Sequence, residues 1–325
     1  LDGLSTGALS DAVRTLGAVV TGRVARMSRA RAGVAIVYHR IGGVGGDDSR
    51  EILAAVSTAV FERQLRHLRR QYRVVPATDL LEAVHNRRRG ERFPVAITFD
   101  DDLTSHVREA LPALQREGFS ATFFLTGASL DGPHSFWWED LQRAIDDAVV
   151  AADRIPHVDA GAALERSPRA ILDLAGAIVQ LPREQRDEVA VALREAVGPP
   201  AADDGLRSHD VRALADSGCT VGFHTLRHDA LPGLPDTELE QALRDGRKAL
   251  AAAAAAPVDL LAYPHGKADA RVTEAARAAG FSLGFTTARG AVTVDTDPLR
   301  IPRTVADLSA GELALRLARM FRQAD

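Results

Sequence analysis

One cysteine in 325 residues excludes an intrachain disulfide framework. Cys219 sits in the apolar stretch Cys219-Thr220-Val221-Gly222-Phe223, where a packed thiol is expected, and the cytoplasm is the compartment this cysteine usage suggests. Long apolar runs are missing too, and none approaches the ~20 residues of a membrane span. Nor is one charge sign in large excess. A net charge of −4 and a pI near 6.2 give no reason to expect a nucleic-acid partner. Aromatic residues are only 5% of the chain, so their one cluster, Phe136-Trp137-Trp138, stands out.

What is present is length and an alternating pattern. A chain of 34.7 kDa can form one large α/β barrel or two modest domains. Residues 1–32 hold Arg14, Arg23, Arg26, Arg29 and Arg31 against Asp2 and Asp11, and the apolar patch Leu16 to Val20 is too short and broken for a signal peptide. They read as a solvated or partly ordered lead-in; a basic surface touching a membrane or partner is the other reading. Val34 to Tyr38 then forms a β-branched run ending at His39, before a loop marked by Gly42, Gly43, Gly45 and Gly46. Strand and helix alternate from there, with expected strands at Tyr72–Val75, Val95–Phe99, Ala121–Thr126, Thr220–Phe223, Leu260–Tyr263, Leu283–Thr287 and around Leu299–Ile301. Helices are expected near Ser105–Glu117, Asp210–Ser217, Asp236–Ala256, Ala270–Ala279 and Ser309–Phe321. Repeated βα units argue for a parallel sheet or barrel over 33–325. Between about 131 and 205 the rhythm lapses into helical patterning, which reads as an insertion because the βα order resumes after it.

The strand at Val95–Phe99 ends in Asp100-Asp101-Asp102. Three packed carboxylates imply a metal ion or a raised pKa, unless they lie in a solvated turn. His224 and His228 follow another strand four residues apart, a spacing that puts both imidazoles on one face of a helical turn. Both clusters fall just past strand C-termini, where parallel α/β folds build ligand sites. One carboxylate and two imidazoles leave a coordination position open for water, and a second aspartate can take that water's proton. Tyr263-Pro264-His265-Gly266 marks a third strand end.

Thr98-Phe99-Asp100-Asp101, His224-Thr225-Leu226-Arg227-His228 and Tyr263-Pro264-His265-Gly266 together resemble the polysaccharide deacetylase family, also called the NodB-homology or carbohydrate esterase family 4 group. The resemblance runs from about Val34 to Arg303, the insertion excepted. It implies a distorted (β/α)7 barrel that removes an N-acetyl group from an amino sugar with metal-activated water. By the same resemblance Asp100 is the catalytic base and Asp101, His224 and His228 are the metal ligands. The backbone N–H of His265 stands where the family has an oxyanion donor. The ligand set suits Zn²⁺, and Co²⁺, Ni²⁺ or Mn²⁺ fit the same groups.

Three departures are visible. Asp102 replaces the usual glycine, as a turn residue or as a third carboxylate that acts on Asp100 or on substrate. Ala262 stands where an arginine often pairs with the catalytic aspartate, and Arg303 or Arg300 could substitute. No histidine follows His265, so the usual late general acid is missing, and His265, His39 and His106 are the candidates to protonate the leaving amine. Trp137 and Trp138 are candidate sugar-stacking residues, with packing of the insertion as the plainer use; Tyr263 and His39 are further candidate substrate contacts. Hydrolysis of another amide, acid/base isomerisation such as epimerisation, and sugar binding without turnover stay open beside deacetylation.

Overall fold

The computed structural model describes residues 6–43, 52–53, 55–149, 155–159, 168–202, 204–306 and 308–324. Among them, seven parallel strands follow one another in space: β1 (Ala32–Tyr38), β2 (Pro94–Asp100), β3 (Thr122–Leu125), β4 (Thr220–Phe223), β5 (Leu260–Ala262), β6 (Leu283–Phe285) and β7 (Arg303–Val305). Register runs from Val34 opposite Val95 to Leu261 opposite Gly284. Ile301 then bridges Phe285, and two residues on Arg303 lies opposite Ala35 of β1. The last segment therefore spans the interval between β6 and β1 and curls the sheet on itself, as a distorted (β/α)7 barrel requires.

β1 and β2 are buried at every position, which explains their unbroken apolar sequence. Successive residues still point to opposite faces. Val34, Ile36, Tyr38, Ile97, Phe99 and Phe123 join the larger core with helix residues such as Phe61 and Leu65. Ala35, Ala96, Phe124, Ala262 and Phe285 form a separate cluster on the concave side. Small residues there leave room for Thr98, Asp100 and Arg303, which share their parity; the Arg303 guanidinium lies 5.5 Å from the Phe124 ring centre.

The helices are α1 (Thr6–Arg26), α2 (Thr58–Gln71), α3 (Leu80–His85), α4 (Leu111–Glu117), α5 (Trp137–Asp146), α6 (Pro168–Gln180), α7 (Arg183–Val197), α8 (Ser208–Asp216), α9 (Asp236–Ala242), α10 (Arg247–Ala254), α11 (Ala270–Ala278) and α12 (Ala310–Gln323). The inserted α5, α6 and α7 share a small core of their own, including Leu141, Ile145, Ile171, Ile178 and Val189.

Some expectations change. Much of the lead-in is the 21-residue helix α1, packed on α12 through Ala18, Ala314 and Ala318. The approach is close: a Cβ on Gly311 would stand 2.4 Å from the Asp11 carbonyl oxygen, and the Asp11 side chain accepts the Gly311 N–H at 2.8 Å. The late strand lies at Arg303–Val305, with Ile301 only a bridge. The helix expected over Asp236–Ala256 is two helices, divided at Gly246 with φ 81°. Gly45 and Gly46 of the expected loop, and 150–154 and 160–167 of the insertion, lie outside the described residues. No helix among the described residues is long and apolar enough to cross a membrane.

Candidate active site

Asp100 is the last residue of β2, on the concave parity set by Ala96 and Thr98. Arg303 reaches it from β7 and closes a two-pronged pair, Nη1 to Oδ1 and Nη2 to Oδ2, both at 2.7 Å. Nη1 also donates to Thr98 Oγ1 at 3.2 Å and Nε to the Thr286 carbonyl at 3.3 Å, so the guanidinium is fixed on three sides. Both side chains are buried. Burial alone would raise the Asp100 pKa, but the charge and hydrogen bonds of Arg303, with His224, outweigh it and hold the carboxyl down to about 2.

Asp101 turns the other way, with φ 72°. Its Oδ1 lies 3.7 Å from His224 Nε2 and 3.7 Å from His228 Nε2, and those two nitrogens are 3.2 Å apart. The three ligand atoms lie within 4.8 Å of one another. His224 follows β4 directly and places Nδ1 2.8 Å from the Ala262 carbonyl; the proton assigned to Nδ1 by that bond leaves Nε2 as a lone pair facing Asp101. Asp101 Oδ1 is buried without a hydrogen-bond partner. Burial, then the charges of Asp100, Glu139 and Asp102, push its carboxyl well above the usual range. Burial likewise lowers His224 and His228, the latter further opposed by neighbouring imidazoles. A buried carboxylate oxygen and two neutral imidazoles converging on one point match the donor set of a divalent transition metal.

Backbone strain gathers in these motifs. Among the described residues, four of the seven non-glycine positions with positive φ are Asp101, Thr225, His228 and His265. The left-handed residue of the acidic motif is therefore Asp101, and not Asp102. Gly266 is held by space: a Cβ there would lie 1.9 Å from Thr287 Oγ1.

A cleft of about 260 Å³ opens over this set, lined by His39, Asp100, Asp101, His224, His228, His265 and Thr287, and by Trp137 and Trp138 from the insertion. Trp138 does two jobs. Its ring stacks on Phe136 at 4.4 Å and meets the His228 ring at 4.7 Å. His265 also packs on His228, at 4.7 Å between ring centres, with its own pKa lowered by burial to about 4.

Two sequence expectations are corrected and one is decided between its readings. Asp102 takes the turn role of its two readings: its Oδ1 accepts the Thr126 N–H at 2.8 Å, and its Oδ2 accepts the Thr126 hydroxyl at 2.7 Å and the Ala128 N–H at 3.1 Å, with the Ser129 hydroxyl, which also donates to the Leu206 carbonyl, at 3.2 Å. Its lone pairs are committed to the loop after β3. His106 is fully buried against Phe99 and Phe123, with Nε2 3.2 Å from the His39 carbonyl, and cannot reach a substrate. Tyr263 is buried as well and donates its hydroxyl to the Leu299 carbonyl at 2.9 Å. His39 and His265 therefore remain as imidazoles in the cleft.

Sequence reasoning also missed a brace. Asp229, the residue after His228, pairs with Arg186 of α7, and both are largely buried. Arg227 reaches Asp187 of the same helix at 2.7 Å. An acid directly after the second histidine was the one available signal; Arg186 lies 43 residues away in the chain.

The fold and this site define a (β/α)-barrel protein with a carboxylate and two imidazoles converging at its strand ends, a donor set that could hold a metal ion. The sequence profile of the polysaccharide deacetylase family matches residues 87–153 and 190–284, breaking within the insertion, and the chain belongs to that family. The deacetylase PplD of Streptococcus pyogenes, solved in complex with acetate, superposes with a TM-score of 0.59 at 14% identity, over 89% of this chain and 98% of its own. IcaB from Ammonifex degensii gives 0.57 at 18% identity, over 90% and 98%. The polysaccharide deacetylase BC0361 from Bacillus cereus gives 0.57 at 17%, over 88% and 69%. At these identities the likeness concerns the fold. No curated protein matches the chain.

Proposed function

We propose that the protein is a divalent-metal-dependent N-deacetylase that hydrolyses the acetamido group of an N-acetylated amino sugar. The observation that carries this reading is the convergence of Asp101, His224 and His228 within 4.8 Å beside an aspartate locked by Arg303. Asp101, His224 and His228 would hold the ion, which when bound supplies Lewis acidity toward the acetyl carbonyl and toward water.

The remaining chemistry belongs to the chain. Asp100 is ionised at any working pH and is aimed by two hydrogen bonds, so it can accept a proton from water without first losing one. The low basicity that Arg303 imposes keeps that carboxylate from being trapped in its protonated form. His39 and His265 share the cleft and are the two imidazoles from which a proton can reach the departing amine. Trp138 and His265 both pack on the His228 ring, which restrains it for coordination.

The test is acetate release across a panel of N-acetylated amino sugars, with metal content measured on the same samples. Acetate release that stops in Asp100→Asn while the metal content is retained is the expected result. Tight glycan binding with no acetate from any substrate would instead make this a sugar-binding homologue.

A further inference from the structure

The cleft has two unlike sides. Its floor is the polar set described above, whereas its facing wall is one side of α6, where Leu172, Ala175, Gly176 and Val179 recur at i, i+3, i+4 and i+7. The insertion's own core takes up Ile171, Leu174, Ala175 and Ile178 of α6, which leaves Leu172, Gly176 and Val179 of the cleft side outside it. Leu172 is 49% exposed. Beyond the catalytic groups, Thr287 supplies the one hydroxyl on the cleft surface among the described residues, and no lysine, arginine, asparagine or glutamine lines it. A sugar polymer lying on this wall would surrender water from its hydroxyls and find no replacement partners. An alkyl chain would gain from the same contact.

We propose that the substrate carries an apolar chain, alkyl or isoprenoid, within reach of the reacting amide. The inference rests on the deacetylase reading. Two attachments share this chemistry, a lipid aglycone on the amino sugar or a longer N-acyl group, and the assay separates them. Turnover is compared for methyl and octyl glycosides of N-acetylglucosamine, below the micelle concentration of the latter, and for N-octanoylglucosamine. The octyl glycoside should exceed the methyl glycoside in kcat/KM by on the order of tenfold or more, as a few buried methylenes allow. Leu172→Asp and Val179→Asp should bring that ratio toward one while thermal unfolding is unchanged. Faster octanoate release would support the proposal with the chain on the acyl side. Equal turnover of all three would overturn it, whereas no hydrolysis of any substrate would sink the deacetylase reading instead.

An independent surface carries a second inference. Val13, Leu16, Val20 and Val24 of α1, with Met27 just past its end, are 56–67% exposed, and the four helical residues fall within an arc of about 100°. The opposite side, with Ala18 and Ala25, is buried, so α1 is apolar on two sides and only one is covered. From Ala12 to Arg31 the sequence has five arginines and no acidic residue. Arg63, Arg66 and Arg70 of α2 continue the basic rim along a groove that Leu16 shares. Self-pairing is disfavoured. Arg23 occupies the heptad seam between Val20 and Met27, and two parallel copies would oppose arginine to arginine.

The geometry points to docking of α1 on an anionic lipid bilayer. The test is co-sedimentation of the full chain with vesicles of phosphatidylcholine alone or with about one quarter phosphatidylglycerol, at about 0.15 M and about 0.5 M salt. Binding should require the anionic lipid and weaken in high salt; Val20→Asp and Arg23→Glu should each lower it by several-fold to tenfold, with helicity and acetate release unchanged. No binding, or equal binding to neutral vesicles, would overturn the inference. So would a concentration-dependent dimer that Val20→Asp abolishes, since a second copy would then cover this face.

Discussion

Replacing Asp102 by glycine, the residue usual at this point of the family's motif, separates a structural from a functional carboxylate. Three hydrogen bonds of 3.1 Å or shorter end on its two oxygens, from the Thr126 N–H and hydroxyl and the Ala128 N–H, while the Ser129 hydroxyl, 3.2 Å away, divides its one proton between Asp102 and the Leu206 carbonyl at 2.7 Å. Thr126 and Ser129 are buried, and Ala128 is half-buried. Bonds to a charged acceptor net about 1.5–3 kcal/mol each, but hydroxyls can turn and half-exposed amides rehydrate, so a loss of about 3–5 kcal/mol is expected in all. Asp102→Asn keeps one acceptor and should cost about 1–2 kcal/mol. Urea unfolding followed by circular dichroism measures both, and KM for an N-acetylated amino sugar is read on the folded variants. The reasoning requires a large stability loss with KM nearly unchanged. A stability change under about 0.5 kcal/mol together with a tenfold rise in KM would refute it and return Asp102 to the substrate.

Arg303→Met removes both partners of the Asp100 carboxylate and should destabilise the fold by about 3–5 kcal/mol, with kcat reduced at least ~100-fold and metal content retained; an active variant would contradict the pairing. Arg186→Ala releases Asp229 beside His228 and should weaken metal binding by about 10- to 100-fold in a competitive titration, with partial recovery in Arg186→Lys. Unchanged affinity would reduce that pair to packing. Burial presses His106 down to about 3, so between that value and 6.5 the unfolded chain binds a proton that the folded chain refuses. Stability from this group is complete above pH 6.5 and is lost as pH falls below it. Between pH 7 and pH 5 that loss is about 2 kcal/mol, and His106→Phe should escape it. An identical pH dependence in wild type and variant would show that His106 is not the responsible group.

Much of the barrel was legible because its strands are short apolar runs and its helices are punctuated by Gly and Pro, so local sequence and final environment agree. The convergence of Asp101, His224 and His228 was legible for a related reason. Asp101, His224 and His228 lie next to strand ends, so a few residues of sequence place each of them. Arg303 could be named only as a candidate, because its partnership with Asp100 spans 203 residues and depends on how the sheet curls. Asp102, His106 and Tyr263 misled for one shared reason: a polar residue beside a motif reads as functional until its hydrogen-bond partners are counted. Those partners are a neighbouring loop, the His39 carbonyl and the Leu299 carbonyl, and none has a spacing signature. The basic lead-in was taken for a solvated stretch because charge concealed a helix that is apolar on two sides.

The insertion changes what the barrel can do. Strand ends supply Asp100, Asp101, His224 and Arg303, and these would be positioned by the sheet whether or not α5, α6 and α7 were present. Trp138, however, rests on His228, and Arg186 grips the residue after it, so one of the three convergent side chains is held from outside the barrel. The same three helices bring the aliphatic wall that faces the catalytic carboxylates. Chemistry and selectivity thus have separate structural sources that meet at a single side chain. Changes in α6 can alter which substrate is accepted with little effect on the Asp100–Arg303 pair, whereas changes that unseat α7 reach His228 through Asp229.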